Sequence, residues 1–120
     1  MRQVERIQAL LRGKGILADV KNEGTEVMAF IATGVVGSRL VVAERNGLLR
    51  CSVLISISCP DYLRTDMAVA ISRANWGLNG GSFRMDSEDG ELRYEVCFPV
   101  FDSEPTEAQL EWLLFATFSA

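Results

Sequence analysis

Apolar residues recur at two periods along the chain, and the alternation between them outlines helices and paired strands. Val4, Ile7 and Leu11 share one helical face, which predicts a helix over residues 2 to 12 with Gly13 as its C-cap. A short strand is expected over 16 to 21 and a longer one over 26 to 33, after which T-G-V-V-G-S breaks the chain between Thr33 and Ser38. The sharpest local signal follows: S-R-L-V-V-A-E-R, then Asn46-Gly47, then L-L-R-C-S-V-L-I-S-I-S. Asn-Gly between two strand-like runs predicts a two-residue type I′ hairpin, because both central positions need positive φ. That turn sets Arg45 opposite Leu48, Glu44 opposite Leu49, Val42 opposite Cys51 and Leu40 opposite Val53. One face then collects Leu40, Val42, Leu49, Cys51, Val53, Ile55 and Ile57 for a core. The other shows Val41, Ala43, Arg45, Leu48, Arg50, Ser52 and Ser56, polar apart from a small apolar strip.

The second half repeats the theme. Pro60 suits a first helical turn and Asp61 complements its positive end. Leu63, Met67, Ala70, Ile71 and Ala74 form one stripe on a helix from about residue 60 to 75, ended by Gly77, Gly80 and Gly81. Phe83 and Met85 lead into a D-S-E-D-G tip, and Leu92, Tyr94, Val96 and Phe98 alternate with Glu91, Arg93, Glu95 and Cys97. A last helix opens in S-E-P-T-E-A-Q, with Ser103 or Thr106 as N-cap and Thr106-x-x-Gln109 fitting a capping box. Strands that come in hairpins predict one α+β domain over 1–120. It has an antiparallel sheet of about five strands and three helices, ordered α-β-β-β-α-β-β-α.

The element N-W-G-L-N-G-G-S-F-R-M-D…D-G-E-L-R-Y-E-V after a helix resembles the YbjN-like proteins, a family of bacterial sensory transduction regulators. The P-T-E-A-Q-L-E-W-L-L helix start is similar to theirs as well. That family in turn resembles, in fold, the type III secretion chaperones, compact α+β homodimers that hold partner proteins. The resemblance covers nearly the whole chain and implies no catalytic residues. It also implies a last helix running a turn or more beyond Ala120, so the chain is expected to be short or truncated there.

Composition narrows the function further. The 120 residues are 48% hydrophobic, an ordinary globular value, and carry 12 basic against 16 acidic side chains for a net charge of -4. Only Lys14 and Lys21 are lysines and no basic cluster appears, which argues against nucleic acid. The amphipathic N-terminus is no export signal, and no apolar run approaches the length of a membrane span. Cys51, Cys59 and Cys97 form an odd set without C-x-x-C spacing, which fits a reducing cytoplasm better than a disulfide framework.

With no histidine, every Ser-His and Cys-His nucleophile is excluded, along with the commonest metal ligand. Cys59 stands near a positive helix end, but no base accompanies it in sequence, and a structural role is expected. The D-S-E-D-G tip fails as a calcium loop: counted from Asp86, the glycine falls at position five and position twelve is Cys97. G-V-V-G-S-R lacks the ending of a phosphate loop, and Leu78-Asn79-Gly80-Gly81 follows a helix instead of opening one. Glu88 and Asp89 sit at an exposed tip where nothing desolvates them. No catalytic, metal or cofactor residue is therefore expected.

The last helix carries Leu110, Leu113 and Leu114 on one side and Trp112 and Phe115 beside or opposite, so its second apolar face needs a neighbour. The expected function is a non-enzymatic, homodimeric, chaperone-like domain in the cytoplasm that holds a partner polypeptide. Val41, Ala43 and Leu48 form its apolar strip, Trp112, Phe115 and Trp76 are candidate interface aromatics, and the net negative charge favours a basic or neutral client. The alternative is a small-molecule sensor with an apolar pocket between sheet and helices.

Overall fold

A computed structural model of the chain describes residues 3–118 apart from 22, 23, 34, 35, 56, 79 and 101–103, and the backbone alone of 30–33, 36, 37, 115 and 118. The order is α1 (Gln3–Gly13), β1 (Ala18–Lys21), β2 (Glu26–Thr33), β3 (Val36–Arg45) and β4 (Leu48–Ile55). A 3-10 turn (Asp61–Leu63), α2 (Arg64–Trp76), β5 (Ser82–Met85), β6 (Leu92–Pro99) and α3 (Glu107–Phe118) complete it. Among the described residues six strands form one antiparallel sheet in the order β1-β2-β3-β4-β6-β5. The α+β class agrees with the hairpin-wise spacing of the sequence. The sheet has six strands rather than about five because β1 pairs with β2 along its whole length, from Ala18↔Ala29 to Lys21↔Glu26.

The β3–β4 register is the one that the Asn-Gly turn dictates. Asn46 and Gly47 take φ of 52° and 75°, and Arg45↔Leu48, Glu44↔Leu49, Val42↔Cys51 and Leu40↔Val53 pair as expected. Side-chain alternation then makes two unlike faces. Leu40, Val42, Leu49, Cys51 and Val96 point to one side and are fully buried beneath α1 and α3. Val4, Ile7 and Leu11 of α1 and Leu110, Leu113 and Leu114 of α3 meet them, each at most 1% exposed. Such side chains contribute about 1.5–3 kcal/mol apiece on burial, so this layer is the fold's main source of stability.

The helix ends are set locally. At the start of α3 the Thr106 Oγ1 accepts from the Gln109 backbone N–H at 3.1 Å and the Gln109 Oε1 accepts from the Thr106 N–H at 2.8 Å, a reciprocal capping box. Ser103, the other candidate cap, lies outside the described residues. Helix α1 closes later than the Gly13 expectation: the Ile16 N–H donates to the Leu11 carbonyl at 3.0 Å, and the positive φ falls at Gly15. Ile57, expected in the core, is 57% exposed, because β4 ends at Ile55 and the alternation ends with it.

The largest departure is α2. No residue of this helix is buried. Of the expected stripe, Met67 and Ile71 are half-buried, whereas Leu63, Ala70 and Ala74 are exposed. The inner sheet face is already occupied by α1 and α3, which leaves α2 packed beside the edge strand β5.

Candidate functional site

Helix α2 is held to the β5–β6 hairpin by side chains at its two ends. At its start, the Arg64 guanidinium donates to the carbonyls of Cys59 (3.2 Å), Ser87 (3.3 Å) and Glu88 (3.0 Å). At its end, the Asn75 amide donates to the Phe83 carbonyl at 3.0 Å and its Oδ1 accepts from the Phe83 N–H at 2.7 Å. Asn75 therefore satisfies both backbone groups that a further strand would use at Phe83. The edge of β5 is capped by a helix and not left open, one way in which edge strands avoid unwanted pairing. Asn75 was visible in the sequence only as part of the N-W-G motif, without a role.

The face of α2 turned away from β5 has no partner among the described residues. Val69 (49% exposed) and Trp76 (94%) stand seven residues apart along it, flanked by Asp66 and Arg73, and Tyr62 (82%) precedes them in the 3-10 turn. Seven residues are two helical turns, so Val69 and Trp76 line up along the helix, and Tyr62 extends this exposed apolar surface beyond its start. Trp112 behaves differently. Its indole lies against Gly80, where an added Cβ would stand 3.2 Å from the ring, and it keeps 46% of its surface exposed. The Phe115 side chain, the other aromatic singled out in α3, lies outside the described residues.

The second open surface is the outer face of the sheet. Val41, Ala43 and Leu48 stand there half-buried, with Leu54 beside them, in a depression of about 470 Å³ rimmed by Arg45, Arg50 and Arg93. Register and alternation bring Lys21, Arg39, Arg45, Arg50, Arg84 and Arg93 to this face against Asp19, Glu26 and Glu95, with Asp86 and Glu91 at the hairpin end, six cations against five anions among the described residues. The net charge of -4 does not describe this face, so the expectation of a basic or neutral client, drawn from that total, does not carry over to it. Glu95 is buried at 5% exposure between Arg50 (Nε to Oε1, 2.8 Å) and Arg84 (Nη1 to Oε2, 3.8 Å). Arg45 pairs with Glu26 at 3.6 Å and Arg93 with Glu91. No short window of sequence shows this arginine band, because β3, β4, β5 and β6 each supply one of its members.

The other candidate chemistry resolves into structure. Asp86 and Asp89 turn their Oδ1 atoms onto the N–H groups of Glu88 and Glu91 in their own turn. Among the described residues no three of His, Cys, Asp or Glu are grouped to hold a metal, and no helix is long and apolar enough to cross a membrane. The core cluster packs between helices and sheet, and a cavity of about 510 Å³ lies between α1 and α3, lined by Arg6, Lys14, Glu107 and Glu111 around Leu10 and Leu110.

All three cysteines are free thiols, with Cys51 and Cys59 buried and Cys97 exposed. Burial pushes the Cys51 thiol up to about 12, partly opposed by a hydrogen bond with Thr117. Its folded-state value thus stands above the ordinary 9.0, so its stabilising effect is complete below pH 9 and fades as pH rises toward 12. The expected reading is a urea midpoint that falls over that window and that Cys51→Ala flattens. At pH 8 the folded chain should show one rapidly alkylated thiol, Cys97. Fast labelling of Cys51 would contradict its burial.

The sequence matches no known protein family and no curated protein.

Proposed function

We propose that the chain is a non-enzymatic, polypeptide-binding domain of a cytoplasmic, chaperone-like homodimer. The observation that carries this reading is the one-sided sheet: α1 and α3 cover one face, while the other presents Val41, Ala43 and Leu48 to solvent at its centre. An extended client segment laid over that face would bury the strip and hydrogen-bond at its polar surround. The resemblance to YbjN-like proteins and to type III secretion chaperones supports the same reading, and three free thiols fit a reducing compartment. The second copy docks at α2, through the exposed Tyr62, Val69 and Trp76, with residues separate from those of the client face.

The binding half is tested with a chemically unfolded, alkylated model polypeptide titrated into the chain and followed by amide hydrogen exchange. Protection should appear along β3 and β4. Leu48→Asp should weaken capture at least ten-fold while leaving the melting temperature nearly unchanged. Covering the rest of a half-buried leucine contributes about half of the roughly 1.5–3 kcal/mol of full burial, the buried carboxylate of the variant adds its own desolvation cost, and 1.4 kcal/mol is a factor of ten in affinity. Unchanged capture by Leu48→Asp, or protection confined to α1 and α3, would refute the surface.

A further inference from the structure

The sheet's open face gathers three guanidinium groups around two carboxylates, Glu91 beside Arg93 and Glu95 between Arg50 and Arg84. Arg84 and Arg93 are direct cross-strand partners between β5 and β6. Like charges placed opposite one another are destabilising in a sheet. Their neighbour Arg50 adds a third guanidinium on the same face, and the buried Glu95 is shared between Arg50 and Arg84. One carboxylate thus serves two guanidinium groups with five N–H donors each, which leaves donors over for an incoming acceptor.

From this we infer that the open face takes an acidic polypeptide segment, an extended strand with carboxylates and apolar residues in alternation. The inference rests on the polypeptide-binding reading above and names the chemistry of its client. Val41, Leu48 and Leu54 supply the apolar floor, and Arg50, Arg84 and Arg93 supply the cationic side of it. Arg50 is held in place by the 2.8 Å contact to Glu95, so it loses less side-chain freedom on binding than a free arginine would. Guanidinium groups also match carboxylates in two-pronged geometry, where charge-assisted bonds are strongest. The face carries more positive than negative charge in a chain whose total is -4, so an acidic segment meets less repulsion here than on the rest of the surface.

The experiment is selection of a random dodecapeptide display library on the immobilised full chain, followed by affinity measurement on synthetic copies of the recovered peptides. Recovered peptides should be enriched in Asp and Glu alternating with apolar residues, relative to the starting library. Their affinity should fall at least ten-fold in Arg50→Ala/Arg93→Ala and in Leu48→Asp, and should weaken as salt is raised. Recovery of neutral or basic peptides that still need Leu48 would overturn the acidic assignment and leave the polypeptide-binding reading standing. Recovery of none that depends on Leu48 would overturn both. A 20-nucleotide single-stranded DNA that binds as tightly as the best peptide and is lost with the same arginines would also overturn it, in favour of nucleic acid.

Discussion

Gly90→Ala should unfold the chain at a temperature roughly 10 °C or more below the wild type. Gly90 closes the D-S-E-D-G turn with a φ of 78°, and its Cα faces the backbone of Cys59 so closely that an added Cβ would run into the Cys59 carbonyl oxygen. Two costs combine. A left-handed alanine is unfavourable by about 1–2 kcal/mol, and forcing an extra methyl into a packed site costs about 1–3 kcal/mol more. The neighbour cannot swing away cheaply, because the atom in the way is backbone and the Cys59 N–H is itself bonded to the Gly90 carbonyl at 2.8 Å. For a domain of this size each kcal/mol moves the midpoint by about 4 °C. The damage should also be directional: the carbonyls of Ser87 and Glu88 that hold Arg64 belong to the same turn, so hydrogen exchange in α2 should rise first. Gly13→Ala is the matched control, since an added Cβ there meets nothing within 4 Å and α1 gains a better helix former. A Gly90→Ala melting point equal to that of Gly13→Ala would show that the turn does not bear on Cys59 as described.

Local chemistry was legible in the sequence and sheet-wide consequences were not. Asn46-Gly47 sufficed for the whole β3–β4 register because a two-residue turn leaves no freedom in the pairing that follows. Thr106 and Gln109 announced the start of α3 for the same kind of reason: both halves of the capping box lie within one turn. The stripe of Leu63, Met67, Ala70, Ile71 and Ala74 misled because periodicity counts apolar side chains without knowing what surface is left to receive them. With α1 and α3 on the sheet, α2 reaches only an edge, and two of its small alanines stay in solvent. The candidate site divides in the same way. Val41, Ala43 and Leu48 were readable from one hairpin, whereas the arginines around them converge from four strands and appear only once β4, β6 and β5 are placed side by side. Composition misdirected here too, since a net charge averages over faces that a client meets one at a time.

The second large effect is expected at α2, where Val69→Asp should convert a reversible dimer into a monomer. Light scattering on the wild-type chain should report a mass rising with concentration toward twice that of one chain. The proposal of a second copy as the occupant rests on the charge pattern of the helix. Asp66 lies three residues before Val69 and Arg73 four residues after it, so an antiparallel two-fold axis at Val69 sets Asp66 opposite the partner's Arg73, and Tyr62 near the partner's Trp76. The same patch is thus complementary to itself in both charge and shape. Helix α2 has 13 residues and is about 20 Å long, so the contact is smaller than a standard interface and a reversible dimer is expected. Within it the aromatics carry most of the area, since one Trp buries about 150–250 Å². Asp66→Arg and Arg73→Asp should each shift the chain toward monomer by placing like charges across the axis. The two changes together should restore the dimer, which no general loss of folding would do. A wild-type mass of one chain at 200 µM (about a hundred times a micromolar Kd), or a double variant no better than either single one, would remove α2 as the site of self-association. Neither outcome would bear on the client face, because its residues belong to β3, β4, β5 and β6 and none to α2.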